Sequence, residues 1–289
     1  MLNRFLIIGC GDIGRRVAKL AGDKGIPVSA LVRPGKSADE LKELAVRAIP
    51  GDLDEPGSLR NLPTQGAVLF YFAPPPGGGL ADPRMRAFCA AILPGDEPRK
   101  VIYISTSGVY GDCGTAAVTE ETAVNPQTAR ARRRLDAETV LGKWSKERNV
   151  AVVILRVTGI YGPGRLPVTY IESGHPVLEE QEAPFTNRIH ADDLARICLA
   201  AAEKGEAGEI FNVSDGRPGT MTQYFNAVAD LLGLPRPPQV TLAEARRVMK
   251  PLMLSYIAES RRMENRKMLD KLGVKLLYPT LEEGLRGSL

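Results

Sequence analysis

Residues 4–14 of the chain read RFLIIGCGDIG. The apolar run RFLIIG is typical of a strand that is buried on both faces of a sheet. The run ends at Gly9, which together with Gly11 and Gly14 forms the spacing GxGxxG. Residues 12–25 continue with apolar side chains along one helical stripe. A glycine-rich turn between a buried strand and a helix is the setting in which this spacing indicates a dinucleotide site.

The residues of this turn have separate predicted roles. Gly9 makes the tight turn, Gly11 lets the backbone approach a pyrophosphate, and Gly14 lets the helix pack closely on the strand. Asp12 and Ile13 open the helix, whose free N–H groups and positive dipole end favour phosphate. We therefore expect these five residues to contact the cofactor.

The second predicted strand, PVSALV, bears on the choice of cofactor. A site that prefers NAD usually has an acid at the end of this strand, which holds the ribose hydroxyls. Here the strand is followed by Arg33, and no acid occurs before Asp39. Because an arginine pairs well with a 2′-phosphate, NADP is favoured over NAD. The alternative is that Arg33 is merely a solvated residue after a strand.

The rest of the chain alternates strands and helices. Apolar runs predict further strands in VRAIPGD, AVLFYFAPPP, KVIYISTS, NVAVVILRV and GEIFNVS. Helices are predicted over residues 37–44, 83–93, 127–146 and 191–204. This alternation predicts an α/β fold with a doubly wound parallel sheet of the Rossmann type.

A smaller lobe is predicted beside this sheet, because the regular alternation stops after about residue 162 and the last part of the chain is mostly helical with proline breaks. We assign residues 1–162 and 188–214 to the NAD(P)-binding domain. Residues 163–187 and 215–289 are assigned to a substrate-binding lobe. A cleft between the two would hold the substrate.

Composition and charge exclude several classes of protein. The 289 residues are 44% hydrophobic and 25% charged, which is ordinary for a globular protein. The net charge of +4 arises from 38 Lys and Arg mixed with 34 Asp and Glu, so it gives no indication of nucleic acid binding. Four scattered cysteines and two histidines indicate neither a disulfide framework nor a metal site. No apolar run approaches the ~20 residues of a membrane span, and we expect a cytoplasmic protein.

Several motifs together carry a resemblance to a known family. Residues 103–112 read YISTSGVYGD, and LRVTGIYGPGR, NRIHADDLARICLAA and LGVKLLYPTLEEGL follow in order. With the glycine turn and GDLDEPGSL, these motifs resemble the extended short-chain dehydrogenase/reductase family, which includes nucleotide-sugar epimerases, dehydratases and reductases. The resemblance is closest to an atypical, YeeZ-like branch that does not keep the family's catalytic Tyr/Lys pair.

The resemblance implies roles for individual residues. Thr106 matches the Ser/Thr that hydrogen-bonds the reacting hydroxyl or carbonyl. Cofactor contacts are implied at the adenine for Asp52 and Leu53, at the riboses for Ala73 and Pro74, and at the nicotinamide for Val157. Substrate contacts are implied for Gly159, Arg165 and Asn187.

Residues 129–138, ARARRRLDAE, depart from the family at its catalytic pair. Aligning Glu138 with the family's glutamate places Arg134 at the lysine position and Arg130 at the tyrosine position. Residues four apart share a helix face, so both arginines can point into the cleft. A permanently protonated arginine is no general base, but Arg130 can polarise a carbonyl or hold an anion, and Arg134 can act as a fixed cation near the cofactor ribose.

A solvated helix face is the other interpretation of this stretch. It accounts for Arg132 and Arg133, and it has equal weight with ligand contact for Arg130 and Arg134. Spacing also predicts i, i+4 pairs between Arg132 and Asp136 and between Arg134 and Glu138.

The missing tyrosine leaves the source of a proton open. Tyr110 and Tyr161 are the nearest candidates by motif, although Tyr110 also has a structural explanation within the VYG turn. The first hypothesis is an NAD(P)-dependent oxidoreductase or epimerase/dehydratase-like enzyme acting on a small polar, nucleotide-sugar-like substrate. The alternative is a catalytically inactive, dinucleotide-binding redox sensor or regulatory protein. We expect a small-molecule partner, no nucleic acid and no membrane; a homodimer is compatible with the long helix.

Overall fold

The structure is a computed structural model that describes residues 4–33 and 39–289. Within these residues, seven parallel strands form one sheet: β1 Phe5–Ile8, β2 Val28–Val32, β3 Arg47–Pro50, β4 Val68–Tyr71, β5 Lys100–Thr106, β6 Ala151–Val157 and β7 Ile210–Val213. Their order across the sheet is β3-β2-β1-β4-β5-β6-β7. The direction of winding reverses between β1 and β4, so the crevice at their carboxyl ends is the topological switch point where ligands bind in such folds.

Helices connect and flank these strands. They are α1 Asp12–Asp23, α2 Asp39–Glu43, α3 Pro83–Ala91, α4 Ala129–Arg148, α5 Val168–Glu172, α6 Ala191–Lys204, α7 Met221–Leu232, α8 Leu242–Val248, α9 Pro251–Ile257, α10 Arg266–Leu272 and α11 Leu281–Arg286. Short 3₁₀ turns occupy Pro56–Leu59, Ser107–Tyr110 and Glu180–Glu182. The predicted Rossmann fold is confirmed, and the start predicted for the helix over 37–44 lies outside the described residues.

Both faces of the sheet are covered, which explains the continuous apolar runs. In β1, Phe5 and Ile7 belong to the core beneath α1 and α6, whereas Leu6 and Ile8 belong to the core beneath α3 and α4. Successive side chains of a strand point to opposite faces, so a strand covered on both sides must be apolar at every position.

Helix α4 carries the arginine-rich stretch. Thr128 caps its beginning by accepting a hydrogen bond from the Ala131 N–H at 3.3 Å, and Asn149 ends it in the left-handed region at φ +54°. The face formed by Ala137, Leu141 and Trp144 is buried against the sheet. The four arginines of residues 130–134 therefore lie on the remaining faces, in the first half of the helix.

The second lobe is built from short elements. Paired two- and three-residue strands join distant segments: Gly159–Tyr161 with Arg188–His190, Phe185–Thr186 with Gly219–Thr220, Val177–Leu178 with Gln239–Val240, and Ala117–Val118 with Arg262–Met263. Helix α7 forms a separate core with Tyr161 and Leu285. Helix α10 was assigned to the substrate-binding lobe, but it packs on the main domain. Its Met268 and Leu272 are buried in the core of the main sheet beside α6.

Candidate functional site

A cavity of about 580 Å³ lies at the switch point and contains the glycine turn. Gly9 has φ +91°, and a Cβ at this position would lie 2.5 Å from the Ala73 backbone nitrogen. A Cβ at Gly14 would lie 3.1 Å from the Gly9 carbonyl oxygen and 3.2 Å from the Ile7 side chain. Both positions therefore require glycine for the packing of this turn, as the spacing predicts.

The surroundings of Gly11 differ from those of Gly9 and Gly14. A Cβ here would meet no described atom within 4 Å, because the residue borders the open cavity. Gly11 is also the N-cap residue of α1 and has no side chain to occupy the free N–H groups of the first turn. An open cradle of backbone N–H groups at a helix N-terminus fits the pyrophosphate of a dinucleotide.

Asp12 lies in the first turn of α1 and is neutralised by two arginines. Its carboxylate accepts hydrogen bonds from Arg16 Nε at 2.8 Å and from Arg165 Nε at 2.5 Å. Partial burial opposes ionisation, but the hydrogen bonds from Arg165 and Arg16 lower the pKa of the Asp12 carboxyl. The expectation that Arg165 faces the substrate cleft is corrected, because the ion pair with Asp12 holds it in the lining of the cofactor cavity.

The opposite end of this cavity has the features of an adenosine site. Its lining includes Arg33, Asp52 and Leu53. It also includes Ala73 and Pro74, which were predicted to contact the cofactor riboses. Arg84, which the sequence did not point to, also lines it and pairs with Asp54 through two bonds of 2.5 and 2.7 Å. Val157 lines neither this cavity nor the next one, since it is buried in the core that includes α6, with 4% of its surface exposed.

A second cavity of about 610 Å³ adjoins the first and shares Pro74, Ile160 and Arg134 with it. Thr106 and Gly159 lie in its lining, together with apolar side chains from the second lobe, Met221, Phe225 and Met253. Arg134 is one of the shared residues and bonds to the Ile104 carbonyl oxygen, so the junction of the two cavities lies at the carboxyl end of β5, where Thr106 is the last residue. This is the arrangement needed for a cofactor in one cavity to reach a substrate in the other.

Thr106 is the last residue of β5 and is partly buried. Its Oγ1 accepts a hydrogen bond from the Gly108 N–H at 3.2 Å and so caps the short 3₁₀ turn that follows. Because the oxygen acts as the acceptor in this bond, the hydroxyl hydrogen remains for donation to a ligand oxygen in the cavity.

The structure brings Arg130 and Arg134 into the cavity lining rather than onto a solvated face. Arg134 lies between the two cavities and donates to the Ile104 carbonyl oxygen at 2.9 Å and to the Tyr103 hydroxyl at 3.3 Å. Arg130 donates to Ser255 Oγ at 2.9 Å, and its guanidinium lies 4.1 Å from the ring centre of Tyr256. Helix α9 thus contacts Arg130 through both of these residues.

The neighbouring arginines differ from the prediction. Arg132 is exposed, but Arg133 also lines the second cavity and donates to the Gly79 carbonyl oxygen at 2.9 Å. The predicted i, i+4 pairs are wrong, because the acids are taken by residues of other elements. Asp136 pairs with Arg86 of α3, and Glu138 is buried in an ion pair with Arg156 of β6 at 2.8 Å. Buried carboxylates take the partner that best replaces water, which sequence spacing does not reveal.

The two tyrosines predicted as proton donors do not present their hydroxyls to the cavity. The Tyr110 hydroxyl is buried and donates to Asn212 Oδ1 at 2.8 Å. Tyr161 contributes its ring to the lining, but its buried hydroxyl points at Gly284, where a Cβ would collide with it. We therefore correct the assignment of Tyr110, whose role is structural, and drop Tyr161 for the same reason.

Asn187 lines the second cavity with its side chain committed to the protein. Its Nδ2 donates to the Arg261 carbonyl oxygen and its Oδ1 accepts from the Met263 N–H, both at 2.9 Å. The residue expected to contact substrate thus ties the cavity wall to the C-terminal segment.

Asp215 follows β7, and its backbone N–H donates to the carbonyl oxygen of Arg188 at 2.8 Å. Burial raises the pKa of its carboxyl from the ordinary value of 3.8 to about 6, against the opposing effects of the Arg217 N–H and Arg188. The native state therefore binds more protons than the unfolded state between these two pH values. Its stability falls as the pH rises through this interval.

Replacement of this carboxyl tests the linkage. Relative to the parent, Asp215→Asn is expected to gain stability between pH 4 and pH 8 by about 3 kcal/mol, because a tenfold change in proton affinity between the two states is worth about 1.4 kcal/mol. Urea unfolding at a series of pH values measures the difference. Asp230→Asn is the matched control: a hydrogen bond from Arg236 lowers the pKa of that exposed carboxyl, so both states have lost this proton over most of the range and the difference from the parent should stay nearly constant between pH 4 and pH 8. A constant difference for Asp215→Asn would contradict the assignment.

Among the described residues, no cluster of His, Cys, Asp and Glu could hold a metal ion, and the four cysteines are free. None of the described helices has the length and apolar character needed to cross a bilayer.

Comparison with known proteins places this geometry in a family. Residues 86–214 match the model of the NAD dependent epimerase/dehydratase family. Protein YeeZ of Escherichia coli K12 is 29% identical over 140 residues, which cover 48% of each chain. The chain spans 34% to 47% of the length of the first curated relatives it matches.

Solved structures extend the similarity over nearly the whole chain. A conserved protein of unknown function from Silicibacter pomeroyi has a TM-score of 0.85 and 28% identity, with 98% of this chain and 97% of that chain covered. The UDP-glucuronic acid 4-epimerase of Bacillus cereus, solved with NAD, has a TM-score of 0.76 and 18% identity over 99% and 97% of the two chains, which shows a shared fold. These comparisons confirm the resemblance that the motifs carry: the chain contains an NAD dependent epimerase/dehydratase family domain and resembles the atypical, YeeZ-like branch of the extended short-chain dehydrogenases/reductases.

Proposed function

We propose that this protein is an NAD(P)-dependent oxidoreductase or epimerase/dehydratase-like enzyme that acts on a small polar molecule. The observation that carries the proposal is the pair of adjoining cavities, which share Pro74, Ile160 and Arg134 and meet beside Thr106. A bound nicotinamide dinucleotide supplies hydride transfer at that junction. A structural neighbour named as a UDP-glucuronic acid 4-epimerase supports a nucleotide-sugar-like substrate.

The residues of this chain divide the work as follows. The glycine turn and the N-terminus of α1 hold the pyrophosphate, and Asp52 and Leu53 border the adenosine. Thr106 donates to the reacting oxygen, and Arg130 polarises it or holds an anionic group nearby. Arg134 acts as a fixed positive charge beside the cofactor ribose, while its bonds to Ile104 and Tyr103 keep the guanidinium in place.

The experiment is a titration of the purified protein with NADPH and NADH, followed by a search for cofactor oxidation with panels of carbonyl compounds and nucleotide sugars. Tight cofactor binding with turnover is the expected result. Failure to bind either dinucleotide would overturn the proposal.

A catalytically inactive redox sensor is the second candidate. Its supporting observation is that the hydroxyls of Tyr110 and Tyr161 point away from the cavity, while the resemblance aligns Arg130 with the family's catalytic tyrosine. Tight dinucleotide binding without turnover on any panel would favour this function. A difference in melting temperature between the reduced and oxidised cofactor complexes would then support sensing.

The preference for NADP rests on Arg33, which lines the cofactor cavity beyond β2 and is exposed to it. Arg33→Ala is expected to weaken NADPH binding by roughly 10- to 100-fold, the worth of a charge-assisted hydrogen bond, and to leave NADH binding unchanged. Dissociation constants from nicotinamide fluorescence measure this effect. Arg47→Ala removes an exposed arginine of β3 outside the cavity lining and is the control. Tighter binding of NADH than of NADPH by the parent would contradict the preference.

A further inference from the structure

Arg188 is a buried arginine in the wall of the second cavity that the proposed chemistry leaves without a role. It begins the short strand Arg188–His190 and has 9% of its surface exposed. Its Nη2 donates to the Thr220 carbonyl oxygen at 3.3 Å, and its guanidinium lies 4.2 Å from the ring centre of Tyr224. Both partners are uncharged groups.

No carboxylate within the described residues forms an ion pair with Arg188. Asp215 acts on it electrostatically from farther away, and burial still lowers the pKa of the guanidinium to about 10. A buried charge is costly unless an opposite charge or a full set of hydrogen bonds compensates it. The guanidinium has five N–H donors, so most of them remain for a group inside the cavity.

The rest of the lining has the same sign of charge. Among the described residues it contains Arg130, Arg133, Arg134 and Arg261 besides Arg188, and no Asp or Glu. Arg261 is paired with Glu259 at 2.5 Å, whereas the three α4 arginines contact carbonyl and hydroxyl oxygens and an aromatic ring. The lining therefore carries an excess of positive charge, and its low-dielectric walls strengthen attraction to an anion.

We propose that the second cavity takes an organic oxyanion, a carboxylate or a phosphate ester, and that its anionic group binds Arg188. The proposal rests on the proposed function, since it names the chemical class of that enzyme's substrate. Met221, Phe225 and Met253 form an apolar wall that suits the carbon skeleton of such a ligand. The planar fork of Arg188 matches either oxyanion in a bidentate geometry.

Direct binding of three matched probes tests the proposal without turnover. Benzoate, phenyl phosphate and benzyl alcohol share one apolar body and carry a carboxylate, a phosphate or no charge. Calorimetry at fixed ionic strength is expected to show binding of at least one anion and weaker binding of the alcohol. The arm that binds more tightly identifies the anion as carboxylate or phosphate.

Variants locate the binding. Arg188→Gln is expected to weaken the binding of the anion by roughly 10- to 100-fold, which is the usual cost of losing a charge-assisted contact. Arg188→Lys should weaken this binding less, because the charge remains. Arg132→Gln removes an exposed arginine of the same helix as Arg130 and should change nothing.

Two results would overturn the inference: equal anion affinity of the parent, Arg188→Gln and the folded Arg188→Lys protein, or no preference for the anions over benzyl alcohol. Circular dichroism verifies that each variant is folded. Because dinucleotide binding is measured separately, a protein that binds NADPH but none of the anions refutes this inference alone. A protein that binds the anions at Arg188 but no dinucleotide refutes the proposed function alone.

Discussion

Gly11→Val is expected to weaken the binding of NADPH at least ~100-fold, about 3 kcal/mol, while the protein stays folded. A side chain at this position enters the open cradle at the N-terminus of α1, where the pyrophosphate would lie against the backbone N–H groups. In the protein without cofactor the new Cβ meets no described atom within 4 Å, and the φ of −81° lies outside the left-handed region that favours glycine. Valine is a poorer N-cap residue than glycine, so stability should fall by about 1 kcal/mol.

The chain offers a matched control in the same helix. Gly22→Val also adds a side chain whose Cβ meets nothing within 4 Å, but it lies at the far end of α1 from the cavity. This variant should bind NADPH as the parent does. Titration by nicotinamide fluorescence and a melting curve for each protein give both readouts. Parental affinity in Gly11→Val would show that the dinucleotide does not lie on this turn.

Gly9 shows why the choice of glycine matters in this test. Its φ of +91° and the 2.5 Å approach of a Cβ to the Ala73 nitrogen mean that any side chain there displaces the segment that follows β4. Loss of binding in a Gly9 variant would thus report damage to the turn. Gly11 separates contact with the ligand from integrity of the fold.

Much of the fold could be predicted from the sequence because local patterns determine it. The continuous apolar run in β1 requires a strand covered on both faces, and the glycine spacing after it requires a tight turn into a helix. Both signals lie within a dozen residues. The handedness of the crossovers then follows from a general preference in parallel sheets, whereas the order of the strands depends on pairing between segments distant in sequence.

The place of a candidate residue in a cavity lining was predictable where it depends on local position along a strand or helix. Thr106 at the end of β5, Gly11 at the start of α1, and Arg130 and Arg134 of α4 belong to this class. The partners of Tyr110 and Glu138 do not, since Asn212 and Arg156 are distant in sequence and come together through the sheet. Arg133 was misassigned for a related reason, because the carbonyl groups of residues 78 and 79 that bind it lie in a loop without a sequence pattern.

Arg188 illustrates a signal that the sequence contains but that motif comparison passes over. A charged residue in the short strand Arg188–His190, all of whose residues are buried, conflicts with the cost of burying a charge. Such a conflict between local pattern and burial is expected at functional positions. It could have marked this arginine before the cavity was known.

Thr106→Ala is expected to reduce kcat by about 100- to 1000-fold once a turnover is found, with the dissociation constant of NADPH unchanged. The lost group is the hydroxyl that we propose donates to the reacting oxygen at the junction of the two cavities, and removal of one such donor typically costs that factor. Its effect on the fold should be small, about 1 kcal/mol, since the side chain also caps the short turn after β5 through the Gly108 N–H.

Thr106→Ser is the control that separates these two effects. Serine keeps both the acceptor for Gly108 and the hydroxyl hydrogen for the ligand, so it should retain most of the activity and the stability. Steady-state kinetics, cofactor titration and melting curves on the three proteins distinguish the outcomes. If Thr106→Ala turned over substrate as fast as the parent, the reacting oxygen would have to bind elsewhere, and the arginines of α4 would become the groups that stabilise it. If instead both variants lost stability and cofactor affinity together, Thr106 would act only as the cap of the turn. Loss of kcat in the alanine variant alone requires the hydroxyl at the reacting centre, and that result would establish an active enzyme whose cavity lining holds Arg130 and Arg134 beside this threonine.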